Sequence, residues 1–169
     1  MPPDELERLY DTHADAVFAF LLTLLRDEAD TRDALQEVFL RLARRADALK
    51  GVIDERGFLL RAAHNAAVDL IRRREARART LTAFSSEPME LFAPATDPEE
   101  SAFRAQLTEA LGELPPEQRA VVHLKLWEGL TFDRIADTLE IPLNTAASRY
   151  RYGMDKLRTR LRPLYDEIR

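Results

Sequence analysis

The sequence predicts an all-α fold: two small helical domains joined by a flexible acidic linker, the second carrying a helix-turn-helix. Three observations predict it. The composition is 46% hydrophobic and 33% charged with only five glycines, and its richness in Ala, Leu, Arg and Glu favours helix over strand. Apolar residues recur at spacings of three and four through most of the chain, as amphipathic helices require. Residues 80–97 lose that period and gather Ser85-Ser86, Pro88 and Pro94, as a linker does.

The first domain spans residues 1–79. Leu6, Leu9, His13, Val17, Phe20 and Leu24 place a helix over residues 4–26. Asp30 is positioned to cap a second helix, with Asp33 three residues on and an apolar stripe of Leu35, Val38, Phe39 and Leu42. A break with two glycines follows at Asp47–Gly57, and a third helix runs from Phe58 through Leu59, Ala62, Ala66 and Leu70 into a run of arginines. The second domain, residues 98–169, opens on Asp97-Pro98-Glu99-Glu100: a cap, proline at the first helical position, then acids in the first turn. Phe103, Leu107, Ala110, Leu111 and Leu114 continue that helix. Leu114-Pro115-Pro116-Glu117 starts another, carrying Val121, Val122, Leu124 and Leu126 and closed by Glu128-Gly129-Leu130. Thr131 caps a short helix with Ile135, Ala136 and Leu139, Glu140-Ile141-Pro142 makes a turn, and a last helix runs from Leu143 to Leu161. Gly153 is expected to interrupt it, at a cost of about 1 kcal/mol against alanine.

Composition excludes several function classes. With no cysteine, disulfides, thiolate zinc sites and thiol catalysis are ruled out, and a reducing cytoplasm suits the chain. His13, His64 and His123 lack metal-ligand spacing, so neither a metal nor another cofactor is expected. No nucleophile elbow, phosphate loop or acid pair is present, so the chain is not expected to be an enzyme. The acidic start shows no signal peptide, and no apolar run approaches the roughly 20 residues that span a bilayer, so no membrane insertion is expected. Net charge is −5, but it is unevenly placed. Residues 1–60 carry net −5, 61–79 net +4, 80–118 net −7 and 119–169 net +3. Two basic blocks thus flank an acidic connector, a distribution that suits a polyanionic partner better than the total does.

Both basic blocks carry candidate contacts. The segment Thr131–Leu157 reads as a helix-turn-helix. Its second helix displays Asn144, Thr145, Ser148, Arg149, Arg151 and Tyr152; hydroxyls donate to phosphates or bases, and arginine is the usual reader of guanine. Upstream, Arg61, His64, Asn65, Asp69, Arg72 and Arg73 fall on neighbouring turns of one helix, where an amide, an acid and guanidiniums suit base-edge contacts with phosphate anchoring.

From Leu9 to Leu161 the chain resembles the extracytoplasmic-function (ECF) sigma factors of the sigma-70 superfamily, the type with regions 2 and 4 only. Asp33-Ala34-Leu35-Gln36-Glu37-Val38-Phe39-Leu40-Arg41-Leu42 resembles region 2.2. Phe58–Arg74 resembles regions 2.3 and 2.4, and Leu114-Pro115-Pro116-Glu117-Gln118-Arg119 through Ile141-Pro142 resembles the opening of region 4. Thr145, Ser148 and Arg149 match its recognition helix. The resemblance implies a promoter-recognition factor for RNA polymerase. Asp33, Gln36 and Glu37 would grip the beta-prime clamp, region 4 would meet the beta flap, and the two basic helices would read the minus-ten and minus-thirty-five elements. An anti-sigma factor is an expected further partner. Some positions depart from the family: Arg45-Ala46-Asp47 stands where an aromatic is usual, Phe58 where tryptophan is frequent, Glu140 where the turn usually has glycine, and Ala146-Ala147 where Val-Lys is common. A stand-alone helix-turn-helix regulator, or a sigma mimic that titrates an anti-sigma factor, are the alternatives that parts of the same pattern allow.

Overall fold

The computed structural model describes residues 1–80, 91–93 and 95–167. The described residues form seven helices in two compact units, Met1–Glu87 and Pro88–Arg169.

The first unit holds α1 (Pro3–Leu25), α2 (Glu28–Ala43) and α3 (Glu55–Ala78), each packed against the other two. Leu9, Val17, Phe20, Leu21 and Leu24 from α1 meet Leu35, Val38, Phe39 and Leu42 from α2 in one core. α3 buries only Leu59, Leu60, Ala63 and Ala67. The two alanines, four residues apart and fully buried, keep α3 close to the core while its other faces stay available.

Caps set the helix starts, and two differ from the sequence expectation. Arg26 turns left-handed (φ 55°) and ends α1, its N–H bonding to the Leu22 carbonyl. Asp27 is then extended and caps α2 by accepting from the Asp30 N–H at 2.8 Å. Asp30 is therefore not the cap but a first-turn residue, and it pairs with Arg74 of α3. α3 likewise begins before Phe58, because the Asp54 side chain accepts from the Gly57 N–H at 3.0 Å. Arg8 of α1 grips Glu55, at the start of α3, through two bonds of 2.7 and 3.0 Å, and these hold the Glu55 carboxyl below its ordinary range.

The second unit holds α4 (Pro98–Glu113), α5 (Pro116–Leu126), α6 (Phe132–Leu139) and α7 (Leu143–Glu167), with α7 packed on the other three. Asp97 caps α4 through the Glu99 N–H and Thr131 caps α6 through the Arg134 N–H, both as expected. Buried Arg119 donates to the Leu114 carbonyl at 2.9 Å, so a charged side chain satisfies backbone oxygen at the α4–α5 corner. His123 stacks on Trp127 and lies 3.7 Å from the Glu128 carboxylate. Leu91 and Phe92 pack on the cluster of Ala110, Leu111, Leu114, Val122 and Leu157, while Arg104 bonds the Ala93 carbonyl. Residues 81–90 and 94, which include Ser85-Ser86, Pro88 and Pro94, lie outside the described residues.

Gly153 does not interrupt the last helix. α7 runs unbroken through it, past Leu161 and Pro163 to Glu167. Gly153 is buried against α5, and a Cβ built on it would stand 2.8 Å from Val122 Cγ2. Its missing side chain lets α5 and α7 touch, and that packing offsets the propensity cost. No helix of the described residues is long and apolar enough to cross a membrane.

Candidate nucleic-acid interface

Packing decides which polar residues of α2 and α3 reach solvent. On α2, Ala34, Leu35, Val38, Phe39 and Leu42 face inward, which leaves Asp33 and Gln36 exposed and Glu37 half-buried on the opposite side. The three expected residues thus share one face. The Glu37 carboxylate, however, accepts from Arg41 Nε at 2.7 Å, so its charge is partly neutralised. Leu40, 41% exposed, extends this face with an apolar side chain outside the expected set.

On α3, Asn65, Asp69, Arg72 and Arg73 are exposed, while Arg61 and His64 are half-buried. Positions 65, 69, 72 and 73 recur at helical spacing and span about 12 Å of one face. Arg74 belongs elsewhere. It donates to the Leu25 carbonyl at 2.9 Å and pairs with Asp30, fastening α3 to the end of α1. Burial pushes its guanidinium below the ordinary range, opposed by the Asp27 charge.

A cavity of about 250 Å³ lies between α2 and α3. Val38, Leu42, Ala48, Phe58 and Ala62 line it with apolar surface, and Arg41, Arg45, Arg61 and Asn65 supply its polar groups. It brings together two of the expected minus-ten residues, Arg61 and Asn65; His64, Asp69, Arg72 and Arg73 do not line it. Arg41 and Arg45 were missed as candidates. The one sign of them in the sequence was the basic stretch where an aromatic is usual, since facing α3 is a property of the packing.

The helix-turn-helix is formed by α6 and α7. Glu140 ends α6 in the left-handed region (φ 56°, ψ 46°), and Ile141 N–H bonds the Ala136 carbonyl at 3.0 Å. Ala146, fully buried, seats α7 on the unit's core, and Tyr150 meets Phe132 edge to face. Asn144, Arg151 and Tyr152 consequently project to solvent, and Thr145, Ser148 and Arg149 are half-buried beside them. The Arg151 guanidinium lies over the Tyr152 ring at 5.1 Å, a contact that orders a long cationic side chain on the exposed face. Among the described residues no cluster of His, Asp or Glu could hold a metal ion.

Known proteins match both units. Sigma-70 region 2 matches residues 9–77, and sigma-70 region 4 matches residues 104–157. The ECF RNA polymerase sigma factor SigX of Bacillus subtilis is 26% identical over 170 residues, covering 98% of this chain and 88% of the relative. SigE of Mycolicibacterium smegmatis, another ECF RNA polymerase sigma factor, is 36% identical over 157 residues, covering 92% of this chain and 60% of that longer protein. The solved structure of the sigma factor RpoE in complex with the anti-sigma factor NepR, from Bartonella quintana, aligns with a TM-score of 0.74 over 94% of this chain and 97% of its own. At 15% identity that likeness speaks for the fold.

Proposed function

The chain belongs to the sigma-70 family as an ECF RNA polymerase sigma factor, and on that premise we propose how its residues divide the work of transcription initiation. Core RNA polymerase and promoter DNA are its partners. Residues 1–79 act as region 2. The α2 face of Asp33, Gln36 and Glu37 grips the beta-prime clamp, and α3 works on the minus-ten element. Asn65 and Arg61 hold one unstacked base of the non-template strand in the α2–α3 cavity, while Arg72 and Arg73 anchor flanking phosphates, with His64 and Asp69 beside them. Unstacking a base costs a few kcal/mol, which burial in a pocket and hydrogen bonds must offset.

Residues 98–169 act as region 4, which also meets the beta flap, and residues 80–97 connect the two. α7 enters the major groove at the minus-thirty-five element with Asn144, Thr145, Ser148, Arg149, Arg151 and Tyr152. Polymerisation belongs to the core enzyme, so this chain carries out no chemistry of its own and works in the cytoplasm beside it. The partner set includes an anti-sigma factor, as the structural relative has one.

The observation that carries this reading is the α2–α3 cavity, which sets an amide and guanidiniums against an apolar wall on the helix that also exposes Arg72 and Arg73. Run-off transcription with purified core polymerase on random-promoter DNA tests it. The wild-type chain should direct initiation from a defined set of sites. Asp33→Arg with Glu37→Arg should abolish co-purification with core polymerase while circular dichroism stays helical. A folded double variant that is still pulled down at wild-type levels would remove the assignment of the α2 face.

A further inference from the structure

We infer that the cavity between α2 and α3 selects keto bases, guanine and thymine, over adenine and cytosine, and that Arg45 and Arg61 set this preference. The inference rests on the reading of the cavity as a base-capture site and names the class of base it takes. At about 250 Å³ the space falls below the roughly 300–1,000 Å³ of drug-sized ligand pockets, which suits a single base.

Its polar lining is Arg41, Arg45, Arg61 and Asn65, with no acidic side chain. A guanidinium presents five N–H donors and no acceptor. The Asn65 amide offers both, but it is one group among four. Arg41, Arg45 and Asn65 are exposed and Arg61 half-buried, so the discrimination rests on bonds gained rather than on burial. For a base that presents its major-groove edge, an exocyclic amine finds guanidinium donors opposite and gains no bond from them. Guanine O6 with N7, or thymine O4, accepts from the same groups. A carboxylate is the side chain that would read the cytosine amine. The acids nearest in sequence, Glu37, Asp47, Asp54 and Asp69, are not among the lining residues: Glu37 is engaged by Arg41, Asp54 caps α3, and Asp69 lies one turn beyond Asn65 on the exposed face.

The geometry places Arg45 well for this role. It follows the end of α2, its N–H bonds the Leu42 carbonyl at 3.1 Å, and Leu42 itself lines the cavity. The arginine thus stands on an ordered turn at the cavity's rim, across from Arg61 and Asn65 of α3. Arg41, with Nε held by Glu37, serves mainly as wall.

The experiment uses the full chain with core RNA polymerase on a promoter library randomised through the minus-ten region, reading base frequencies among transcribed templates. The position served by the cavity is the one whose preference Asn65→Ala removes. There, guanine and thymine together should exceed adenine and cytosine by about fivefold or more. Arg45→Gln puts an acceptor opposite the base and should cut that ratio to below about twofold; Arg61→Gln should do the same. Because the readout is a ratio within one preparation, a partial loss of folded protein does not imitate it. If the Asn65-dependent position prefers adenine or cytosine, or if Arg45→Gln and Arg61→Gln leave the ratio unchanged, keto selection by these residues is overturned while base capture stands. If no position depends on Asn65, base capture fails and the selectivity goes with it.

Discussion

Adjacent arginines of α3 carry different duties, and the difference can be measured. Arg73 is exposed, whereas Arg74 bonds the Leu25 carbonyl and pairs with Asp30. Arg74→Ala should destabilise the chain by about 1–2 kcal/mol, since a hydrogen bond to a charged group is lost at a half-buried site. Arg73→Ala should change stability by less than about 0.5 kcal/mol but lower the salt slope of promoter binding by about 0.7–0.9 for one lost phosphate contact. Denaturant melts and salt titrations of both variants check this; equal melting midpoints would show that Arg74 does not fasten α3 to the rest of the unit. Glu140 offers a second residue-scale test. A glutamate held at φ 56° pays a conformational penalty that glycine escapes. Glu140→Gly should therefore stabilise the second unit by about 0.5–1 kcal/mol, read as a higher melting temperature, and a lower one would mean that the glutamate side chain is itself needed in the turn.

At the scale of elements, the contact of α5 with α7 governs how the recognition helix is held. Gly153 invites the substitution that helix propensity recommends, alanine, worth about 1 kcal/mol in an exposed helix. Here the added Cβ meets Val122 Cγ2 at 2.8 Å in a fully buried side chain, and overpacking typically costs about 1–3 kcal/mol. Gly153→Ala should thus destabilise by about 1 kcal/mol or more and disturb minus-thirty-five binding through the tilt of α7. In a Val122→Ala background the same change should cost less, and that coupling is what a double-mutant cycle measures. Additive effects in the cycle would show that the two side chains do not compete for the same space.

For the whole molecule, the placement of charge matters more than its total. Residues 80–118 carry net −7 between blocks of +4 and +3. The acids of residues 98–113 lie on α4 of the second unit itself, the unit that carries the +3 block, and we propose that the acids of residues 80–118 compete with DNA phosphates in the free protein. Asp97 and Glu100 are unsuitable for testing this, because one caps α4 and the other pairs with Arg104. Neutralising Glu87, Glu90 and Glu99 to Gln should raise the free protein's affinity for promoter DNA at low salt. The gain should fade as screening shortens to about 10 Å at 0.1 M. Fluorescence anisotropy at several salt concentrations checks this, and unchanged affinity at low salt would show that these acids do not mask the basic surfaces.

Local chemistry was legible in the sequence because it acts over three or four residues. Apolar spacing placed the helices, Asp97-Pro98 and Thr131 announced two starts, and Glu140-Ile141-Pro142 marked the turn between α6 and α7. The order of motifs carried the family for the same reason, since each motif is a short pattern on one element. Only the tertiary structure decided what depends on two elements meeting. Asp27 rather than Asp30 caps α2, because Arg26 closes α1 so late that no other residue is left to cap it. Arg74 turns inward because the end of α1 presents it with a carbonyl and an acid. Gly153 continues a helix that its propensity opposes, because α5 leaves no room for a side chain. Arg41 and Arg45 share a cavity with Arg61 and Asn65 because α2 packs beside α3, and a period read along one helix carries no information about what a second helix sets against it.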